Sequence, residues 1–522
     1  MQIKNIIPRP YQQAIFETAK QKNTLVVLPT GMGKTLIALM LSCHRLELFP
    51  KLKVLFLAPT RPLAAQHLAY FKEHLPELYA DMTLFTGKVK AKERKELWHK
   101  TDVIFSTPQC ITNDVKAGRF DLRDVSLLIE DECHRCLKNY DYTFVARNYL
   151  ESAEHSRILG LTASPGSKPS VIKDVCKNLG IEAVEARHRY SDDVKPYMQK
   201  LTQEIVKVDL PVKFKEIKST LAEIYKKRVD ELKNRNLFFT KVITKKTLLE
   251  LQAKLQRAIA AGNKHFNILR GISVCAQAIK LGHALELLET QTIASLHSYM
   301  QNLYEQAKQE KSKAAKQIVK NTKFQDAYIA VLDLFNSGVE HPKLTKLKEL
   351  VLRELQNKKA KIIVFAQYRD SIVKICKELN SLAKKGASIK AKVFVGQLKK
   401  GETGLTQQEQ QAVLDDFKEG KINVLCATSI GEEGLDIFEV GVVIFYEPIP
   451  SAIRQIQRRG RTARLMPGKL IILMTKHTRD EAYYWAAYHK ERKMYGVLDD
   501  MQEHLKRKTK NKEQSELTKF VK

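Results

Sequence analysis

Leu25-Val26-Val27-Leu28-Pro29-Thr30-Gly31-Met32-Gly33-Lys34-Thr35-Leu36-Ile37-Ala38-Leu39 passes from one apolar run, through a turn holding two glycines, into a second apolar run. The first run is short and β-branched, which makes it a buried strand; the second opens an apolar helix. Gly31 and Gly33 let the connecting backbone turn tightly, so that its N–H groups converge on one point in front of the positive end of the next helix. That is a phosphate cradle, built by Leu28, Pro29, Thr30, Gly31, Met32, Gly33, Lys34 and Thr35. Lys34 reaches β- and γ-phosphates, and the Thr35 hydroxyl is a ligand for Mg²⁺. The complete pattern has glycine where Leu28 stands, so the surrounding sequence has to carry part of the assignment.

Outward from this stretch, Val54-Leu55-Phe56-Leu57, Val103-Ile104-Phe105 and Leu127-Leu128-Ile129 alternate with helical segments as far as about Ala186. Such alternation predicts a parallel sheet covered by helices. It recurs at Ile362-Ile363-Val364-Phe365, Val393-Phe394-Val395, Val424-Leu425-Cys426, Val442-Val443-Ile444-Phe445 and Leu470-Ile471-Ile472-Leu473, which predicts a second α/β domain. No proline falls between Pro211 and Pro342, and Lys, Leu, Ala, Gln and Glu dominate there, as in an inserted all-helical domain. Within it Leu248, Leu251, Leu255 and Ile259 share one helical face, opposite Lys246, Glu250, Lys254 and Arg257. Lys313, Lys316, Lys320 and Lys323 form a basic stripe that is either a solvated face or a track for phosphates. The expected division is 1–205, 206–340, 341–490 and a basic, helical and flexible tail at 491–522.

Asp131-Glu132-Cys133-His134 ends the buried run Leu127-Leu128-Ile129. Asp131 is placed to hold Mg²⁺ and Glu132 to polarise an attacking water. Far along the chain, Gln457-Arg458-Arg459-Gly460-Arg461-Thr462-Ala463-Arg464 supplies four guanidinium groups. Arg461 and Arg464 are one helical turn apart, and an arginine aimed at a transferring phosphate is worth about 10³ to 10⁵ in rate. Arg458 and Arg459 have the alternative role of binding a phosphate backbone.

Lys plus Arg exceed Asp plus Glu by 89 to 58, a formal charge of +31, which favours a polyanion such as nucleic acid over a merely solvated basic surface. The eight cysteines lack the density of a disulfide framework and fit a reducing interior. Cys133 and Cys136 form a CxxC without the second pair a zinc site needs. No signal peptide or membrane span is expected.

These segments, in this order, resemble a superfamily 2 helicase. The resemblance extends to Arg9-Pro10-Tyr11-Gln12, Ala58-Pro59-Thr60-Arg61-Pro62-Leu63-Ala64, Ser106-Thr107-Pro108-Gln109 and Leu161-Thr162-Ala163-Ser164-Pro165. In the second half it includes Phe365-Ala366-Gln367-Tyr368-Arg369, Phe394-Val395-Gly396-Gln397 and Ala427-Thr428-Ser429-Ile430-Gly431-Glu432-Glu433-Gly434-Leu435-Asp436. Asp193-Val194-Lys195-Pro196-Tyr197, Phe445 to Arg454 and Thr478 to Trp485 most resemble the helicase part of archaeal Hef and of the Fanconi anaemia group M translocase. Ala463 stands where that family usually has glycine. Glu491-Arg492-Lys493 is similar to part of the XPF-type nuclease element that follows the helicase in Hef, but Val497 replaces its aspartate, and a helix surface is expected instead.

The resemblance implies two RecA-like domains with a helical insertion, and ATP with Mg²⁺ as cofactors. It implies Gln12 and Asp436 at the nucleotide, and Lys34, Asp131, Glu132, Gln457, Arg461 and Arg464 in catalysis. Thr60, Arg61, Thr107, Gln109, Gln367, Gln397 and Thr428 would grip DNA, and Thr162 and Ser164 would couple that grip to hydrolysis. Branched DNA (forks or four-way junctions) is the implied partner, with 3′ to 5′ movement. A nuclease or sliding clamp is a candidate protein partner, and a cytoplasmic, nucleoid-associated setting is expected. A double-stranded-RNA-stimulated ATPase like antiviral sensors and Dicer helicase domains, and a non-catalytic DNA clamp, are the alternatives.

Overall fold

The computed structural model describes residues 3–4, 6–238, 243–263, 265–357, 359–383, 386–396, 404–428, 440–460, 462 and 467–520, with the side chains of 77, 506 and 508–520 excepted. The first domain is built on β1 (Thr24–Val27), β2 (Lys53–Leu57), β3 (Met82–Phe85), β4 (Val103–Ser106), β5 (Val125–Asp131), β6 (Ile158–Thr162) and β7 (Ala183–Ala186). They form one parallel sheet in the order β3-β4-β2-β5-β6-β1-β7. Every residue of β1, β2, β4, β5 and β6 is buried, because helices cover both faces; this is why these strands read as continuous apolar runs rather than alternating ones.

The second sheet contains β8 (Leu201–Val208), β9 (Ile362–Phe365), β10 (Ala391–Phe394), β11 (Val424–Ala427), β12 (Val442–Phe445) and β13 (Gly468–Thr475), ordered β10-β11-β9-β12-β13-β8. β8 lies parallel to β13 from Leu201↔Gly468 to Val208↔Thr475. It crosses the expected division at 205 and precedes the helical insertion. As a half-exposed edge strand with four polar residues, it offers no apolar run to recognise.

Among the described residues, six helices lie between β8 and Pro342: Val212–Asn234, Lys245–Ala260, Phe266–Thr290, Ile293–Lys308, Lys313–Val319 and Thr322–Asn336. Leu248, Leu251 and Leu255 are buried as their spacing predicts. On the opposite face Glu250 pairs with Lys246, one turn before it, at 3.5 Å. The lysine stripe is broken. Lys313 and Lys316 lie on one short helix and Lys323 on the next, and Lys316 and Lys323 are neutralised by Glu310 and Glu223. The insertion docks on the second domain through Ser295 Oγ to Ser371 Oγ at 3.1 Å and through Glu289, which meets Arg479 at 3.4 Å and is held within the insertion by Lys218 at 3.0 Å.

The helix Arg479–Phe520 starts against the second sheet and packs its 494–505 stretch into the first domain. Its origin is pinned by a fully buried ion pair, Lys343 Nζ to Asp480 Oδ2 at 2.8 Å. Met494 and Leu498 are then completely buried in the first domain's core, with Tyr495, Val497, Met501 and Leu505 packed beside them. Among the described residues, no helix is long and apolar enough to cross a membrane.

Candidate nucleotide and nucleic-acid site

Parallel strands all point their C-terminal ends the same way, and the loops leaving those ends carry the predicted residues. In the first domain the order β2-β5-β6-β1 sorts them: the glycine turn follows β1, Thr162 ends β6, Asp131 ends β5, and Thr60 follows β2. The residues expected at the phosphates thus share one half of the sheet edge. Thr60 and Thr107, on the other half, precede the helices Arg61–His74 and Pro108–Lys116, whose free N–H groups face the same edge.

Gly31 and Gly33 have φ of +82° and +77°, a region costly to side chains, and Gly33 is the N-cap of the helix Lys34–Leu48. A Cβ on Gly33 would lie 2.2 Å from Gln12 Nε2. Gln12 is itself fixed, donating to Met32 O at 3.2 Å and accepting from Arg9 N at 2.8 Å, while the Tyr11 hydroxyl donates to Met32 O at 2.8 Å. The glutamine expected at the base therefore also braces the turn. Lys34 Nζ donates to Leu28 O at 3.0 Å.

Asp131 is buried, which works to raise its carboxyl, yet a 2.9 Å hydrogen bond from His67 and the charges of His67 and Lys34 hold it below the ordinary value. The carboxylate stays ionised, as a cation ligand must. Glu132 sits at φ +52°, outside the usual range for a side-chain-bearing residue, at a cost of roughly 1–2 kcal/mol. Its Oε2 is 3.2 Å from His134 Nδ1, an ion-pair distance without hydrogen-bond angles. His134 Nδ1 also lies 3.1 Å from Thr162 Oγ1, which accepts from Ser164 N at 3.1 Å. Ser164 Oγ donates to Met494 Sδ at 2.9 Å, so a side chain of the long C-terminal helix touches the predicted coupling residue.

The second domain meets this edge through the helix Ala452–Arg459. A Cβ on Gly460 would lie 2.6 Å from Thr30 Oγ1, and Gly460 and Thr462 face Pro29 and Thr30 across a space of about 30 Å³. Gln457 is buried in that helix. Arg458 is not on a phosphate-backbone surface, and Arg459 is already engaged by a carboxylate. Arg458 is fully buried over the rings of Phe365 and Phe445 at 5.0 and 5.8 Å, and Arg459 is paired with Glu491 at 2.6 Å. Arg461, Arg464, Asp436 and Gln397 lie outside the described residues. Gln367 follows β9, its N–H donating to Glu447 Oε1 at 2.5 Å, and Thr428 follows β11. Arg61 is half-buried, while Gln109 is exposed beside a 360 Å³ groove that also includes Pro59, His134 and Arg135. The contacts of His67, Glu447 and Met494 carried no sequence signal, since each is made only in three dimensions.

A DEAD/DEAH box helicase model matches residues 9–172, a helicase conserved C-terminal domain matches 342–466, and the helical bundle of an ATP-dependent RNA helicase matches 213–338. The crystal structure of the Pyrococcus furiosus Hef helicase domain is 46% identical, with 92% of this chain and 98% of that one covered and a TM-score of 0.69. The chain belongs to the Hef and Fanconi anaemia group M family of superfamily 2 helicases. Relatives of this Hef-type chain include a Methanocaldococcus jannaschii protein described as an ATP-dependent RNA helicase, 42% identical over 95% of the chain and 61% of its own length. The ATP-dependent DNA helicase mph1 of Neurospora crassa is 32% identical over 91% of the chain and 41% of its length. For fml1 of Schizosaccharomyces pombe, also described as an ATP-dependent DNA helicase, the figures are 31%, 95% and 60%. The chain thus spans about two fifths to three fifths of the length of these relatives. The Hef-type fold of two parallel-sheet domains around a helical insertion is that expected from the sequence.

Proposed function

We propose that this chain is an ATP-driven DNA translocase and helicase acting on branched DNA such as forks and four-way junctions. The observation that supports the proposal is the approach of Gly460 to Thr30, which brings the end of the helix Ala452–Arg459 in one domain against the glycine turn expected to hold phosphates in the other. The space between Gly460 and Thr462 on one side and Pro29 and Thr30 on the other is small, about 30 Å³, and in this reading the domains part as a triphosphate enters. Binding then opens the cleft, and closure returns the second domain to the phosphates.

Lys34 and the N–H groups around Gly31 and Gly33 hold the phosphates, with Gln12 at the base and Asp436 near the sugar. Thr35 and ionised Asp131 are hard oxygen donors of the kind Mg²⁺ takes and would hold it. That ion, when bound, neutralises charge developing on the phosphates. Glu132 orients the attacking water and takes its proton, Gln457 steadies the approach, and Arg461 and Arg464 stabilise the transferring phosphoryl group. Thr162 and Ser164 pass the state of the acid loop to the DNA face.

Thr60, Arg61, Thr107, Gln109, Gln367, Gln397 and Thr428 grip one strand by its phosphates, mainly through hydroxyls, amides and helix N-termini. Cycles of opening and closing move the motor along it, while residues 206–340 hold the flanking duplex. A nuclease or clamp partner and a nucleoid setting accord with this role.

ATPase rates on single-stranded, duplex, forked and four-way DNA and on double-stranded RNA, at one salt concentration, test it. Greater stimulation by forks than by RNA is expected. Equal or greater stimulation by RNA, the activity in the name of the Methanocaldococcus relative, would overturn the DNA assignment.

A further inference from the structure

A cavity of about 420 Å³ opens between the loop after β7, strand β8 and the C-terminal helix. Its size falls within the roughly 300–1,000 Å³ of small-molecule sites. None of Gln12, Gly31, Gly33, Lys34, Asp131 or Glu132 lines it. We propose that it binds a nucleoside phosphate, either free or as one unit of a nucleic-acid strand.

Two features of the wall select that chemistry. Tyr190 and Tyr488, 76% and 46% exposed, present ring surface to the cavity instead of burying it, with Tyr484 and Tyr495 completing an aromatic lining. Rings of this kind receive a flat heterocycle, and stacking is tolerant of which base it is. The second feature is charge. Arg189, Arg459 and Arg492 face one carboxylate, Glu491, and Arg459 already occupies it at 2.6 Å. Arg189 is part-buried, and burial followed by the nearby Arg459 guanidinium disfavours its charge, so a bound anion would relieve both. Among the described residues Arg189 donates only to the neutral carbonyl of Gln199, and Glu491 is matched by Arg459, so the wall keeps an excess of positive charge: a divalent cation would be repelled, a purely apolar ligand would leave that charge unmatched, and inorganic phosphate would leave the rings unused.

The site bridges the motor's halves, since Arg189 and Tyr190 belong to the first domain and Arg459 to the second. Arg189, Arg459 and Tyr495 also line the small space beside Thr30, so an occupant contacts groups that border the ATP cleft.

The chain has two tryptophans: Trp98 is buried, and Trp485 is 53% exposed with its ring 5.7 Å from that of Tyr488. Emission from Trp485 is therefore a local reporter. The full chain carrying Lys34→Ala, which weakens the phosphate cradle and makes the test independent of the ATPase assignment, is titrated with dTMP and separately with a 5′-phosphorylated oligo-dT. A saturable change is expected, absent in Trp485→Phe. Tyr488→Ala and Arg492→Ala, both at exposed positions, should raise Kd roughly tenfold, the worth of one stacked base, and Tyr488→Phe should preserve it. Saturation by dTMP assigns the site to a free nucleotide, and saturation by the oligonucleotide alone assigns it to a strand. No saturable signal with either, or Kd values indifferent to Tyr488→Ala and Arg492→Ala, overturns the proposal.

Discussion

Gly460→Ala isolates domain closure from folding. At Gly460 the backbone has φ −67° and ψ 6°, a conformation open to alanine, and within its own domain the added Cβ comes nearest to Ile456 O, at 3.2 Å, a shift of a few tenths of an ångström, so the variant should fold as the parent does. The added Cβ would stand 2.6 Å from Thr30 Oγ1 and 2.8 Å from Thr30 Cβ, where ordinary contact begins at 3.4 Å. The cleft must therefore stay open by about 0.8 Å, the difference between 3.4 and 2.6 Å. A misplacement near 1 Å between reacting groups costs about 100-fold in rate. Steady-state ATPase assays with saturating DNA should show kcat reduced by about that factor, with KM for ATP changed far less, because the first domain's cradle is untouched. Thr30→Gly removes both obstructing atoms, and added to Gly460→Ala it should recover part of the loss. A kcat within twofold of the parent would refute the idea that catalysis uses this approach of the two domains.

Glu132→Gln should leave ATP binding intact while lowering turnover by at least about 100-fold, as read by nucleotide-binding fluorescence beside phosphate release. Lys343→Met leaves Asp480 buried without its cation, and urea unfolding should show a loss of about 3–5 kcal/mol. Burial pushes the Glu447 carboxyl up to about 7 despite the opposing charges of Lys343 and Arg458. Folded Glu447 thus keeps a proton that the unfolded chain releases at lower pH, and wild-type stability should fall as pH rises from about 4.5 to 7. Glu447→Gln should remove that decline, on the order of 3 kcal/mol, in melts compared at pH 5 and 7.5.

Most of the fold was legible because strands buried on both faces must be apolar throughout, as at Val54 to Leu57 and Ile362 to Phe365. The glycine turn was legible for a related reason: φ values near +80° leave little choice of residue at 31 and 33. β8 was not, since an edge strand with polar residues has no such constraint. The lysine stripe misled because the Asn321 N-cap starts a new helix and resets the spacing between Lys316 and Lys323. Contacts between distant segments were invisible for a different reason. His67 on Asp131, Met494 on Ser164 and Glu447 on the Gln367 loop depend on where whole elements dock, and no local pattern records that.

The helix that begins at Arg479 leaves one domain and buries Met494 and Leu498 in the other. With the covalent link through the β7–β8 loop, it turns two lobes into a closed loop of connections. Lobes joined at a single point can swing in any direction; joined at two, they keep essentially one hinge axis. Each stroke is then repeatable in direction, and the force of closure is delivered along a fixed arc instead of being dissipated in free tumbling.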